Sequence, residues 1–201
     1  MTEFDAFRYD GKRVLVVGGA TGMGAATARL AQNAGAEDVV LDYAEVDLPG
    51  ATTVQVSLAD AASIDTAVEE CGGPFHAVFC CAGVADGTPG IEKINFIGHR
   101  YLLDRLLAAD ALPRGSAIGF ISSAVGLGWK RNLPVLKEYL DITDFEAASQ
   151  WAVKNEKADY FWSKQAICAY VAREAMPLLA RGVRINAICP ARPTRRSSTS
   201  C

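Results

Sequence analysis

Residues 13–24 read RVLVVGGATGMG, and this stretch decides the fold. Its first half is a short apolar run closed by glycine, the pattern of a buried strand. Its second half is a glycine-rich turn that opens into GAATARLAQNAG (24–35), alanine-rich, helical in character and stopped at Gly35. Glycines between a strand and a helix allow a tight turn and close approach of the backbone to a pyrophosphate. The helix N-terminus then supplies free N–H groups and a positive dipole. The next apolar run, EDVVLD (37–42), is a second strand that ends in Asp42, 42 − 22 = 20 residues after Gly22. That is the spacing expected of a carboxylate that binds the adenosine ribose hydroxyls. A carboxylate there repels a 2′-phosphate, and neighbouring Tyr43 offers no positive charge to reverse this. The sequence therefore predicts NAD as cofactor in preference to NADP.

The same alternation continues outward. TTVQVSL (52–58), FHAVFCCAG (75–83), SAIGFISS (116–123) and GVRINAIC (182–189) read as further strands. DAASIDTAVEEC (60–71) has an Asp cap and helical spacing. IEKINFIGHRYLLDRLLAAD (91–110) and YFWSKQAICAYVAREAMPLLAR (160–181) read as long helices, and residues 129–159, richer in charge, as one or two surface helices. Strands alternating with helices predict an α/β fold, a Rossmann-like doubly wound parallel sheet covered on both faces. Residues 1–190 are expected to form one dinucleotide-binding domain, and 191–201 an irregular tail.

Composition narrows the function classes. The 201 residues are half apolar with a net charge of −3, which fits one globular domain with a sizeable core. The mild acidity carries no nucleic-acid footprint. No run reaches bilayer-spanning length and the polar start is no signal peptide, so no membrane partner is expected. Six cysteines lack framework or metal-ligand spacing, and most lie in apolar runs. Free thiols in a reducing cytoplasm, with no metal, are expected. His76 and His99 are expected to be structural or solvated, and Trp129, Trp151 and Trp162 to be packing residues, with Trp162 placed to line a cleft.

Tyr160 and Lys164 in YFWSK are four apart and share a helix face. Ser123 ends the fifth strand, and Asn95 lies in the helix after the fourth. The ends of parallel strands are where such a sheet builds its site. At these residues the chain resembles the short-chain dehydrogenase/reductase family, from Lys12 to about Pro190. The glycine motif matches at Gly18, Gly22 and Gly24, with Val17 where Thr is common. The family's Asn-Asn-Ala-Gly appears as CCAG (80–83), and an acid that often touches the adenine is replaced by Ser57. The resemblance implies a catalytic Asn95, Ser123, Tyr160 and Lys164. It implies cofactor contacts from Gly18, Thr21, Gly22, Met23, Gly24, Asp42, Ser57, Leu58, Cys81, Ala82, Gly83, Tyr160, Lys164 and Pro190.

In the implied chemistry Tyr160 exchanges a proton with a substrate alcohol or ketone and Ser123 orients the substrate oxygen. Lys164 favours the phenolate and holds the nicotinamide ribose, and Asn95 holds a water linking Lys164 to solvent. Ser123 and Tyr160 are 160 − 123 = 37 residues apart, a wider gap than is common in the family. The extra segment resembles that of members acting on hydroxysteroids and coniferyl alcohol, which implies a bulky apolar alcohol or ketone substrate. Two rival functions share the fold: a dinucleotide-binding protein without catalysis, and a sugar-nucleotide epimerase or dehydratase.

Family members continue past the sixth strand with Pro-Gly and a Thr-rich segment that covers cofactor and substrate, then a helix and a seventh strand. Here PARPTRRSSTSC (190–201) follows. In one coding of residues 190–197, one added base yields Pro-Gly-Pro-Thr-Asp-Thr-Pro-Leu. The expectation is a frameshifted tail, a chain lacking the last strand and the substrate-covering segment, weak or absent turnover, and homo-oligomer formation by the longer form.

Overall fold

A computed structural model describes residues 7–191. The proposed frameshifted tail lies outside them except for Ala191. Six strands form one parallel sheet: β1 (Arg13–Val17), β2 (Glu37–Asp42), β3 (Thr52–Gln55), β4 (Ala77–Cys80), β5 (Ala117–Ile121) and β6 (Arg184–Ile188), in the order β3-β2-β1-β4-β5-β6. Order reverses beside β1, whose neighbours are β2 and β4, so the crevice outside their carboxyl ends is where such a sheet takes a ligand. The helices are α1 (Gly22–Asn33), α2 (Ala61–Cys71), α3 (Gly98–Ala108), α4 (Leu133–Asp141), α5 (Phe145–Lys154) and α6 (Tyr160–Ala180). A π-helical turn, Lys93–Ile97, leads into α3, and a 3₁₀ segment, Ala124–Asn132, precedes α4.

Strand alternation sorts the apolar residues onto two faces. Leu15, Val17, Val39, Leu41 and Val78 join the large core with Ile64 of α2, Leu102, Leu103 and Leu106 of α3, and Leu178 of α6. Val14, Val16, Val40 and Ala77 form a smaller core with Ala28 and Ala31 of α1. Both faces are thus packed around β1 and β2. On the α1 side of β5, Ala117, Gly119 and Ile121 are only half-buried, and Ile188 on the edge strand β6 is 58% exposed.

Helix starts follow their caps. Asp60 accepts from Ala62 N, Asp144 from Ala147 N at 2.7 Å and Asp159 from Trp162 N at 2.6 Å, each worth about 1 kcal/mol. The segment between Ser123 and Tyr160 contains the two expected helices, but they are not mere surface helices. Leu136, Tyr139, Leu140, Phe145, Ala148 and Ala152 are buried. Tyr139 stacks on Trp151 (centroids 5.0 Å apart, 23° between planes), and both approach Trp162 of α6 at 6.4 and 6.3 Å. Aromatic pairs of this kind add about 0.5–1.5 kcal/mol beyond area burial. Trp162, 3% exposed, is therefore a packing residue of this cluster rather than part of a cleft lining.

Among the described residues no helix is long and apolar enough to cross a membrane, and no three metal-ligating side chains cluster.

Candidate active site

The glycine turn after β1 is shaped by close approach. Gly18 has φ +87°, and a Cβ there would overlap the main chain of Ala82 in the turn after β4. A Cβ on Gly24 would overlap Gly18 O. Two chain turns meet here with no room for side chains. The first turn of α1 starts at Thr21 without any side-chain cap, which leaves main-chain N–H groups for an anion.

A cavity of about 540 Å³ opens at this point. Gly18, Thr21, Gly22, Met23 and Gly24 line one side; Asp42, Ser57 and Leu58 line the next, and Cys81, Ala82 and Gly83 the third. The eleven residues are all among those expected to contact cofactor. The sequence reading missed Val17, Leu41, Tyr43, Val56, Val84, Thr88 and Ile94 as lining. Val17, Leu41 and Val56 adjoin expected contacts at strand ends, so proximity was the available signal. Thr88 reaches the cavity from the loop after β4 and Ile94 from the π-helical turn, placements that spacing does not reveal.

Asp42 is not a free solvated acid. Its Oδ2 accepts from Ala20 N at 2.8 Å and its Oδ1 from Ala44 N at 3.0 Å, so the carboxylate is fastened to the glycine turn at the cavity rim. Ser57 is held at its N–H, which donates to Ser63 Oγ at 2.9 Å.

Beyond Gly83 the cavity wall meets two of the four residues singled out for chemistry, Asn95 and Lys164. A Cβ on Gly83 would sit 3.4 Å from Asn95 Oδ1 and 3.5 Å from Lys164 Nζ. Asn95, fully buried in the π-helical turn, accepts from Val84 N at 2.7 Å and donates to Val84 O at 3.0 Å. Both ends of its amide thus hold the turn after β4. His99 adds a third tie, Nε2 donating to Ala82 O at 3.0 Å; burial pushes its imidazole down to about 4, so it is neutral and structural.

Tyr160 is the first residue of α6, capped by Asp159, and its main-chain N–H donates to Asp86 Oδ1 at 2.7 Å. Lys164, one turn on, is 4% exposed. Its Nζ donates to Ile121 O at 2.8 Å and lies 5.4 Å from the centroid of the Tyr160 ring. Burial pushes the ammonium down to about 8, so it is still mostly charged at neutral pH. Ser123 caps the 3₁₀ segment, its Oγ accepting from Val125 N at 3.5 Å, two residues past the end of β5. Pro190 reaches this corner through its carbonyl, which accepts from Ala124 N at 3.1 Å. Tyr160, Lys164 and Pro190 are not part of the cavity lining; Lys164 Nζ stands behind Gly83 at its end, with the Tyr160 ring beside it.

The arrangement can bind an elongated, partly apolar anion and present a phenol with an ammonium beside it. No family model matches the chain. It is 28% identical over 186 residues to a coniferyl-alcohol dehydrogenase of Pseudomonas sp. (strain HR199 / DSM 7063), covering 89% of this chain and 72% of that protein. It is 28% identical over 192 residues to a 3-alpha-hydroxysteroid dehydrogenase/carbonyl reductase of Comamonas testosteroni, covering 88% and 71%. The crystal structure of the 3-alpha-hydroxysteroid dehydrogenase from Pseudomonas sp. B-0831 complexed with NADH superposes with a TM-score of 0.74 at 26% identity, over 89% of this chain and 72% of that one.

Proposed function

We propose, from the premise that this chain is a homologue of the short-chain dehydrogenases/reductases, that it binds NAD(H) and interconverts a secondary alcohol and a ketone on a bulky apolar skeleton. The observation that carries this reading is the Lys164 ammonium beside the Tyr160 ring at the end of a glycine-walled cavity. The glycine turn fits a dinucleotide. Side chains are excluded where Gly18 and Gly24 meet neighbouring backbone, and α1 begins uncapped, so Thr21, Gly22, Met23 and Gly24 would receive the phosphates. Asp42 at the rim would accept from ribose hydroxyls and repel a 2′-phosphate, which favours NAD. Ser57, Leu58, Cys81, Ala82 and Gly83 would flank the bound molecule, and Pro190 would lie near its far end.

When bound, the nicotinamide would supply a hydride donor or acceptor. The chain's own part is proton handling and positioning. Tyr160 Oη takes the alcohol proton or returns it to the carbonyl oxygen. The Lys164 ammonium stabilises the negative charge that develops on that oxygen. Ser123, two residues past the end of β5, orients the substrate oxygen. Asn95 acts by holding Val84, and with it the turn after β4, in register. Val125, Leu127 and Phe161, exposed by 39%, 66% and 50%, flank Ser123 and Tyr160 and supply an apolar surface for the substrate. The relatives' names, coniferyl alcohol and hydroxysteroid, agree with that class. A cytoplasmic location and, for the longer form, self-association belong to the same proposal, the second supported by exposed Met176, Leu179 and Ile188 on α6 and β6. Sedimentation velocity reads the second directly.

Fluorescence titration with NADH and NADPH tests the binding half, and turnover of aromatic and polycyclic secondary alcohols tests the chemistry. NADH is expected to bind more tightly than NADPH. Tyr160→Phe is expected to keep NADH binding and lose about 100-fold or more of whatever turnover the chain has. Absence of NADH binding, or a Tyr160→Phe variant as active as the parent, would overturn the reading.

A further inference from the structure

Two thiols meet between the elements that carry the candidate site. Cys168 lies one helical turn after Lys164 on α6, and Cys189 directly follows β6. Their Sγ atoms are 3.8 Å apart, and both residues are partly exposed. Ser122 Oγ is 3.3 Å from Cys168 Sγ and donates to Lys164 O at 2.8 Å. The 3₁₀ segment presses on the same spot, since a Cβ on Gly126 would sit 3.0 Å from Cys168 Sγ. The described cysteines are all free thiols.

We propose that Cys168 and Cys189 are a reversible oxidative modification site that closes to an intrachain disulfide when a hydroperoxide is the oxidant. A disulfide needs its sulfurs at about 2.05 Å, so from 3.8 Å each would move about 0.9 Å, a side-chain adjustment rather than a backbone one. In the first step the Cys189 sulfur attacks the peroxide. An S–O bond forms, the O–O bond breaks, and an alcohol or water leaves with the thiol proton. In the second step Cys168 Sγ attacks the resulting sulfenic acid. The S–S bond forms, the S–O bond breaks, and the Cys168 proton leaves with hydroxide as water. Two thiols lose two hydrogens and one peroxide is reduced.

The remaining described cysteines are poorly placed to compete. Cys71 and Cys80 are buried, and burial pushes both thiols up. Cys80 and Cys81 are adjacent but join opposite cores, Cys80 in the large one and Cys81 against the small one. Burial also pushes the Cys168 thiol up to about 11. It therefore resists direct oxidation near neutral pH, which leaves the first attack to Cys189. The bond would fasten the end of β6 to α6 one turn from Lys164.

The test treats the folded 201-residue chain with hydrogen peroxide, alkylates remaining thiols, and maps peptides by mass. The expected product is a peptide pair linked through Cys168 and Cys189, short of two hydrogens and split again by dithiothreitol. It is lost in Cys168→Ser and in Cys189→Ser, and kept in Cys81→Ser, with circular dichroism confirming that each variant is folded. Sulfinic or sulfonic acid at these positions without a linked peptide would overturn the proposal. So would a linkage to any other cysteine, Cys201 included, or between chains.

Discussion

Acid stability should depend on two buried groups whose contributions oppose each other. His99 is 1% exposed with Nδ1 unpartnered, and burial lowers its imidazole from 6.5 to about 4. Asp38 on β2, at the register of Val14, is 3% exposed with both carboxylate oxygens unpartnered, and burial raises it from 3.8 to about 6. A depressed histidine stabilises the fold above its unfolded value of 6.5 and loses that contribution as pH falls towards 4. A raised carboxyl does the reverse: its contribution is full below 3.8 and is lost as pH rises through 6. Between pH 7 and pH 4 the histidine costs about 3 kcal/mol and the aspartate restores about 2 kcal/mol, at 1.36 kcal/mol for each tenfold change in proton affinity. The parent protein should therefore show a nearly flat contribution from this pair. Asp38→Asn should unmask the histidine, so that its stability falls by about 2 kcal/mol more than the parent's on going from pH 7 to pH 4. His99→Gln, which can still donate to Ala82 O, should diverge from the parent in the opposite direction by about 3 kcal/mol. Urea unfolding of the three proteins at matched pH values reads this directly, because titrations elsewhere are common to all and cancel in the differences. If the Asp38→Asn and His99→Gln profiles both run parallel to the parent's, the burial argument fails.

Two further substitutions test the frame of the candidate site. Gly18→Ala places a Cβ at φ +87° against Ala82 and should cost about 2–5 kcal/mol of stability together with NADH binding. Gly22→Ala, at φ +58° with nothing within 4 Å, should cost only about 1–2 kcal/mol; equal losses in urea titrations of the two would refute the close-approach argument. Asp86→Ala leaves the Tyr160 N–H without its partner and should cost about 1–3 kcal/mol or, if water replaces the carboxylate, show as a weakened kcat at unchanged NADH affinity. A variant matching the parent in both measurements would remove Asp86 from the positioning of Tyr160.

What the sequence made legible were features written within one element. EDVVLD is β2 to the residue, and the Asp60 cap of α2 stands where the helical spacing begins. The glycine turn and Asp42 could be linked because their spacing is fixed by one strand–helix–strand unit. Features set by contacts between distant segments were not legible. TTVQVSL continues its apolar alternation to Leu58, yet β3 ends at Gln55, because its partner β2 ends at Asp42 and the Ser57 N–H turns to Ser63 Oγ. Lys137, Glu138 and Lys154 gave residues 129–159 a surface character, while Tyr139 and Trp151 turn inward onto a tryptophan of α6. The Cys168–Cys189 contact joins residues 21 apart through the pairing of α6 with β6, which no local pattern records.

The π-helical turn at Lys93–Ile97 has an implication for how this chain tolerates change in length. A π-turn holds one residue more than an α-turn, and each residue of a regular helix advances the side chains by about 100°. Upstream of the extra residue, Asn95 is committed to Val84; downstream, Leu102, Leu103 and Leu106 are committed to the core and His99 to Ala82. Removing one residue here would leave a more regular helix whose two halves are out of phase with their partners. Either the amide would leave Val84 or three leucines would rotate away from the sheet. The irregularity is thus the phase adjuster that lets a single helix serve two appointments at once, and a one-residue deletion should be tolerated far less well here than at either end of α3.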